Sequence, residues 1–117
     1  MVVSQAPKQH EGKAPAYQVH PLWIQGISVI LSNGARSKYG PYNWLKKGTT
    51  KATDYLEPLE RHMSRWGLGE DVDKDTPDIP HSHLLACAAN LMMLWCGLRL
   101  ELIEDNRPFK LKQENKT

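Results

Sequence analysis

The sequence predicts a small all-α domain, and three observations support that prediction. The 117 residues suit one domain, apolar side chains recur at helical spacing in three segments, and the last segment is apolar almost all round. Apolar residues make up 40% of the chain, which allows a modest core that association would stabilise. We therefore expect a central antiparallel helix hairpin in a chain that forms a homo-oligomer.

The charge and the apolar stretches exclude several classes of protein. A formal net charge of +2 is far from that of a nucleic-acid-binding tail, so no direct nucleic-acid binding is expected, whereas a small anionic ligand is compatible. The N-terminal residues lack the apolar core of a signal peptide, and the apolar stretch 84–100 is interrupted and short for a membrane span. Cys87 and Cys96 fall on opposite sides of one predicted helix, so we expect reduced thiols and a cytoplasmic location.

The N-terminal third of the chain predicts a flexible arm followed by a helix. Residues 1–18 are polar, with glycine and two prolines, and form the expected arm. Pro21 stands at a helix-start position, apolar residues follow at helical spacing, and Asn33-Gly34 has the form of a C-cap. A strand over residues 27–31 is the weaker alternative. The single domain is expected to span residues 19–105, with a loose tail over residues 106–117.

Two further helices are expected to form the hairpin. The first starts near Asp54, where Asp54 and Glu57 resemble a capping box. Its expected apolar face consists of Leu56, Leu59, Met63 and Trp66. The last helix runs from about His81 to Glu104, and its apolar circumference predicts burial on several sides or a subunit interface.

An acidic loop separates the two hairpin helices. Five carboxylates crowd this short stretch: Glu70, Asp71, Asp73, Asp75 and Asp78. Carboxylate clusters hold Mg²⁺, which in turn neutralises phosphate charge, so the loop is a candidate magnesium site. The alternative is a solvated acidic turn, and the loop alone does not decide between the two interpretations.

The histidines of the hairpin helices are a second candidate site. His62 lies on an inward-facing stripe of its helix, and His83 and Asn90 lie seven residues apart on one stripe of the last helix. A polar stripe on an apolar helix needs partners, and a hairpin would bring His62, His83 and the acidic loop together. The alternative is structural: a capping histidine and a hydrogen-bonded asparagine in the core.

The loop over residues 36–50 is a third candidate, because it is aromatic, basic and broken by glycine and proline. Aromatic rings can stack on a base, asparagine can bind its edge, and lysines can bind phosphates. The loop therefore suits a nucleotide. An exposed loop pinned by Trp44 explains the same residues equally well.

Taken in order, these segments resemble one known family. The residues that carry the resemblance are Asn33-Gly34-Ala35-Arg36-Ser37-Lys38-Tyr39-Gly40, Asn43-Trp44, Lys47-Gly48, Arg61-His62, Gly69-Glu70-Asp71, Asp73, His83 and Asn90. The family is that of the phage dATP/dGTP diphosphohydrolase N-terminal domains, which are related to the MazG-like all-α nucleotide pyrophosphohydrolases. Each motif alone is unspecific, whereas the ordered set is fairly specific. For a phage protein, the predicted location is the host cytoplasm.

The resemblance implies a protein that binds or acts on a deoxypurine nucleoside triphosphate through Mg²⁺, leaving the monophosphate and pyrophosphate. The expected metal ligands are Glu70, Asp71 and Asp73, with Glu60 as a further candidate, and the expected catalytic residues are His62, His83 and Glu70. Phosphate oxygens would be held by Lys38, Lys47 and Arg61, and the base would face Tyr39, Asn43 and Trp44. Asn90 completes the expected substrate-binding residues.

One departure from the family pattern concerns catalysis. The family's last helix carries a second histidine three positions after the first, and here that position is Ala86. The missing imidazole predicts weak or absent hydrolysis, with binding better kept than chemistry. Two alternative functions therefore stand beside the enzyme: a non-catalytic protein that sequesters signalling nucleotides, and a structural or adaptor oligomer built on the apolar third helix.

Overall fold

A computed structural model of the chain describes residues 13–34, 43–48, 50–74, 81–109 and 111, and its fold is all-α, as the sequence predicts. The described part contains three α-helices, which we label α1 (Pro21–Gly34), α2 (Ala52–Gly67) and α3 (His83–Arg99). Two 3-10 turns, Ala16–Gln18 and Asn43–Leu45, precede α1 and α2 respectively. Residues 27–31 lie within α1, which excludes the alternative strand.

The first helix, α1, begins and ends where the sequence predicts. His20 precedes it and accepts the Leu22 amide on its ring Nδ1 at 3.1 Å, and Pro21 occupies the first helical position, where no amide is needed. α1 packs on α3 through a close approach at Gly26, because a Cβ built there would lie 2.5 Å from the Leu85 side chain. A side chain at this position would require the Leu85 side chain to move.

The second helix, α2, begins at Ala52, two residues earlier than predicted. The Asp54 carboxylate accepts the amide of Lys51 at 2.8 Å from inside the first turn, so Asp54 is not the cap itself. Glu57 forms an ion pair with Arg61 at 2.9 Å. The predicted capping box of Asp54 with Glu57 is therefore wrong, because each carboxylate has a different partner.

The buried face of α2 differs in part from the predicted one. Met63 and Trp66 are 45% and 42% exposed, whereas Tyr55 and His62 are buried. The predicted inward orientation of His62 is thus confirmed. The apolar pattern predicts Met63 in the packed face of α2, but the polar residue His62 lies there instead.

The third helix, α3, is shorter than predicted at both ends. Ser82 is its N-cap, and its hydroxyl accepts an amide of the first turn at 3.3 Å. The helix ends at Arg99, and Glu101 then adopts φ 57°, a left-handed conformation that reverses the chain. α3 therefore begins at His83 rather than His81 and stops before Glu104.

The two longer helices pack along each other, with α2 against one side of α3. Their contacts run from His62 with His83, through Leu59 with Cys87, to Ala52 with Glu104 just beyond α3. Contacts in this order are those of antiparallel neighbours. Residues 75–80, which connect the helices, lie outside the described part.

The segment after α3 returns along the start of α2. Its hydrogen bonds join the Leu102 carbonyl to Gly48, the Glu104 carbonyl to Ala52, and the Asn106 side chain to Thr53. The first residue of the segment predicted as a loose tail, Asn106, is therefore held against α2. No helix in the described part is long and apolar enough to cross a membrane.

Candidate active site

The end of α2, the acidic segment after it and the start of α3 meet in one cluster of polar side chains. The backbone fixes this meeting through an isolated antiparallel bridge. The Asp73 amide donates to the His81 carbonyl at 2.9 Å, and the His83 amide donates to the Asp71 carbonyl at 3.0 Å. The acidic segment is thus held against the first turn of α3.

A chain of hydrogen bonds leads from the surface into the core. Glu70 Oε1 lies 2.7 Å from His83 Nε2, and His83 Nδ1 lies 2.8 Å from His62 Nδ1. His83 is 0% exposed, whereas the Glu70 side chain keeps 31% exposure. An ionised carboxylate can only accept, so His83 donates through Nε2, and a neutral His83 offers an unprotonated Nδ1 to the Nδ1–H of His62.

Asp73 and Arg65 complete the cluster. Asp73 Oδ2 lies 4.0 Å from His62 Nδ1, and Asp73 Oδ1 lies 3.4 Å from Arg65 Nη1. The same guanidinium nitrogen lies 3.8 Å from Glu70 Oε1. The two carboxylates and one guanidinium leave these three side chains with a net charge of −1.

Burial keeps the His62 imidazole neutral. Removal from water is the main cause that lowers the pKa of His62 below its usual value of 6.5, while the Asp73 carboxylate acts in the opposite direction. The neighbouring His83, Arg61 and His81 lower the pKa of His62 further. At neutral pH the imidazole therefore carries no charge, and its ring proton lies on Nδ1, which donates to His83.

The four predicted metal ligands lie in different surroundings. Glu70 and Asp73 belong to the cluster, whereas Asp71 and Glu60 are exposed. Glu60 lines an open cleft on another side of α2, together with Phe109. The predicted ligand set stays a prediction, and two further acids of the loop, at positions 75 and 78, lie outside the described residues.

Within the cluster, one set of metal-ligating side chains lies close together, and it differs from the predicted set. Across residues 13–34, 43–48, 50–74, 81–109 and 111, one group of three offers ligand atoms that all lie within 4.8 Å of one another: His62, Asp73 and His83. From the sequence, Asp73 is expected to bind metal and the two histidines are expected to be catalytic. The structure brings these two sets together.

The loop predicted to bind the base is described only in part. Lys38 and Tyr39 lie outside the described residues, as does the side chain of Asn43. Trp44 is half-buried and Lys47 is exposed, both in or next to the 3-10 turn before α2. The assignment of these residues to substrate binding stays a prediction.

The other two predicted substrate-binding residues have partners within their own helices. Arg61 is held by Glu57, and the Asn90 side chain donates to the Ala86 carbonyl at 2.8 Å. Ala86 itself is only 2% exposed, so the position of the family's second histidine is packed in this chain.

Arg65 is the member of the cluster that is not among the residues predicted from the sequence. It lies three residues after His62, so one helical turn places both side chains on the same face of α2. The acidic segment follows within five residues, at Glu70. A basic residue in the last turn of a helix, next to a run of acids, is the signal that could have found it.

Comparison with known proteins places the chain in a family. The family described as dATP/dGTP diphosphohydrolase, N-terminal, matches residues 3–106. No curated protein and no solved structure matches the chain. The predicted relationship to MazG-like proteins stays a prediction. The family's name indicates a nucleotide hydrolase, and the match spans the whole cluster from His62 to His83. The chain belongs to the dATP/dGTP diphosphohydrolase N-terminal family, which confirms the resemblance seen in its sequence.

Proposed function

We propose that the chain binds a deoxypurine nucleoside triphosphate at the cluster of His62, Arg65, Glu70, Asp73 and His83, and converts it to the monophosphate and pyrophosphate. The family supports a nucleotide hydrolase of this kind. The observation that carries the proposal is the hydrogen-bonded chain from half-exposed Glu70 to buried His62. A titratable group whose pKa is shifted by burial beside a charged partner, as that of His62 is, is typical of functional sites.

Glu70 is the proton acceptor in this proposal, because it is the member of the hydrogen-bonded chain that reaches solvent. As the oxygen of an attacking water bonds to the α-phosphorus, Glu70 takes a proton from that water. The bond between the α-phosphorus and the bridging oxygen breaks, and pyrophosphate leaves with that oxygen. A positioned base contributes a factor of about 10²–10⁴ to such a rate.

The two histidines are positioning residues in this proposal. His83 is fully buried and holds one Glu70 oxygen, so it orients the carboxylate without touching the substrate. His62 holds the other ring nitrogen of His83 and so fixes its tautomer. The neutral His62 imidazole adds no positive charge to this buried chain.

Positive charge for the triphosphate would come first from Arg65. Its side chain is 37% exposed and contacts both carboxylates at 3.4 and 3.8 Å, so a phosphate oxygen can replace one of these contacts. Lys38, Lys47 and Arg61 are the further phosphate-binding residues of the proposal. Tyr39, Asn43 and Trp44 would face the base.

The expected Mg²⁺ does not fit the convergent ligand group. Mg²⁺ prefers oxygen ligands, and two of the three side chains in that group are imidazoles. We therefore place Mg²⁺ on the phosphate oxygens of the incoming triphosphate. The proposed steps use only the side chains of the protein, the water and the triphosphate.

The test is product analysis with the full chain. Each of dATP, dGTP, ATP, GTP, dCTP and dTTP is incubated with the protein and Mg²⁺, and the products are separated by chromatography. We expect monophosphate and pyrophosphate from dATP or dGTP. Diphosphate and inorganic phosphate would place the cleavage at a different bond and contradict the proposal.

A second candidate, nucleotide binding without turnover, is favoured by Ala86. The family's second histidine is absent, and the alanine in its place is buried at 2% exposure. Calorimetry that shows binding of dATP or dGTP, together with intact nucleotides after incubation, would establish this candidate. If the protein neither binds nor hydrolyses these nucleotides, both candidate functions are contradicted.

A further inference from the structure

We propose that His62, Asp73 and His83 form a binding site for a divalent first-row transition metal ion such as Zn²⁺. Each residue offers one ligand atom, a ring nitrogen of each histidine and a carboxylate oxygen of Asp73, and these atoms all lie within 4.8 Å of one another. This ion would be separate from the Mg²⁺ that accompanies a triphosphate. From the sequence, Asp73 is expected to bind metal and His62 and His83 are expected to be catalytic, whereas here all three would bind the same ion.

The donor atoms select the class of metal. Imidazole nitrogens suit Zn²⁺, Co²⁺, Ni²⁺ and Fe²⁺, whereas Mg²⁺ and Ca²⁺ take oxygen ligands almost exclusively. A set of two imidazoles and one carboxylate is also the set of many sites that keep positions open for water or substrate. The chemistry of the site therefore points away from the magnesium expected from the acidic loop.

The distances are close to those that one small ion requires. The two Nδ1 atoms lie 2.8 Å apart, and His62 Nδ1 lies 4.0 Å from Asp73 Oδ2. With metal–ligand bonds of about 2.0–2.1 Å, two ligands of a tetrahedral ion lie about 3.3–3.4 Å apart. The observed separations lie on either side of this value, so one ion requires shifts of about 0.5–0.7 Å in the side chains.

Glu70 supplies the outer contact that such sites use. A metal-ligating histidine commonly donates its other ring N–H to a carboxylate, which fixes the ring and makes it a better ligand. His83 donates through Nε2 to Glu70 at 2.7 Å, so its Nδ1 carries the lone pair that faces His62 and Asp73. The ring is thus held in the tautomer that a metal ion needs.

His62 requires only a change of tautomer. Without metal, its Nδ1 carries the proton shared with His83, and with metal that proton would sit on Nε2. The ring stays neutral in both states, so binding needs no net loss of a proton from His62. The low pKa of His62 favours the neutral ring that both states share.

The local charge also favours a cation. Glu70 and Asp73 bring two negative charges, and Arg65 brings one positive charge in direct contact with both. A divalent ion would turn this net charge of −1 into +1, beside which an anionic phosphate is stabilised. This inference rests on the same cluster as the proposed function. Metal binding can nevertheless be measured whether or not the protein hydrolyses a nucleotide.

The test is metal binding by the full chain after treatment with a chelator. Zn²⁺ is titrated by calorimetry, and Co²⁺ is titrated by its visible absorption, which reports the ligands around the ion. We expect one ion per chain, retained in the presence of about a hundredfold excess of Mg²⁺. We also expect Zn²⁺ to raise the melting temperature, because it binds only the folded chain tightly.

Variants separate the site from other histidines. His62→Gln and Asp73→Asn each remove a ligand and should weaken Zn²⁺ binding more than about 100-fold. Glu70→Gln removes only the outer contact and should weaken it by about 10–100-fold. His20→Gln alters an exposed histidine before α1 and should leave binding unchanged. If His62→Gln does not fold, Asp73→Asn and Glu70→Gln decide the question.

Three results would overturn the inference: no stoichiometric Zn²⁺ or Co²⁺ binding, displacement by equal Mg²⁺, or wild-type affinity in both Asp73→Asn and Glu70→Gln. Metal binding and nucleotide turnover are read separately. Zinc binding without turnover would contradict the proposed hydrolysis and support the proposed metal site. Turnover without zinc binding would support the proposed hydrolysis and contradict the proposed metal site.

Discussion

Two regions of the molecule differ in which kind of side chain is buried and which is exposed. At the junction of α2 and α3, titratable side chains are buried, with His83 fully so. On the outer faces of α1 and α3, large apolar side chains are exposed, including Ile24 at 53%, Leu91 at 56% and Trp95 at 62%. Buried polar groups and exposed apolar patches both carry a cost unless something compensates it.

The two regions differ in how they are compensated. The cluster satisfies its polar atoms within the chain, so removing one member leaves its neighbours without partners. The outer faces are not covered by any described residue of the chain, so a second copy of the chain is the cover that the sequence predicts. The first region should therefore respond to mutation as a core and the second as an interface.

The largest effect is expected from His83→Ala. The change removes a fully buried ring and leaves His62 and Glu70 without their hydrogen-bond partner, at a cost of about 3–4 kcal/mol in the free energy of unfolding. Urea denaturation measures it. Leu68→Ala, at an 89% exposed position after α2, is the control and should change stability by less than about 0.5 kcal/mol. Equal effects of the two changes would show that the cluster is not part of the core.

A smaller effect, on association rather than folding, is expected from Trp95→Glu. Trp95 stands under the Arg99 guanidinium at 5.7 Å on the exposed face of α3, and an interface there would lose an aromatic anchor. We expect the dissociation constant to rise by about 30-fold or more, which corresponds to about 2 kcal/mol. Light scattering reads the oligomeric state, and Leu68→Glu is the control. A wild-type chain that is monomeric at micromolar concentration would disprove the predicted oligomer.

The variant Ala86→His tests whether the family's missing histidine can be restored. Because Ala86 is 2% exposed, the larger ring should overpack the interface of the helices and cost about 1–3 kcal/mol. Leu91→His, on the exposed face of the same helix, is the matched change. An unaltered stability together with faster nucleotide hydrolysis would show instead that a cavity adjoins this position.

The smallest effect is a pH dependence of stability in the metal-free protein. The pKa of His62 is lower in the folded chain than the usual 6.5, so between these two values the unfolded chain binds more protons. The free energy of unfolding should therefore fall as the pH drops from 6.5 towards the lowered pKa. His62→Gln should reduce this slope, and an unchanged slope in His62→Gln would contradict the account.

The sequence predicts the fold well because helical periodicity is a local property. Pro21 and the apolar spacing after it are sufficient to place α1, and the inward stripe is sufficient to bury His62. The ends of α3 are less predictable, because Ser82 competes with His81 as the cap and Glu101 stops the helix by a left-handed turn. Neither signal is visible in the apolar pattern.

The candidate site could be predicted only in part, since it depends on tertiary contacts. Sequence order brings Glu70, Asp73, His62 and His83 into consideration, but it gives no reason to pair Glu70 with an imidazole rather than with a metal. That pairing follows from the bridge that docks the acidic segment on α3. The same bridge brings Glu70 and Asp73 within reach of Arg65. The spacing of Arg65 after His62 suggests this contact but does not establish it.

The most direct test of the central claim is pyrophosphate release from dGTP by the wild type, Glu70→Gln and Glu104→Gln. Glu70 is the proposed proton acceptor, whereas Glu104 is an exposed acid whose backbone, not its side chain, holds the start of α2. The account predicts release by the wild type and by Glu104→Gln, with a loss of about 10² or more in Glu70→Gln. A wild type that releases no pyrophosphate, or a Glu70→Gln variant that keeps the full rate, would contradict the claim that this cluster performs the chemistry.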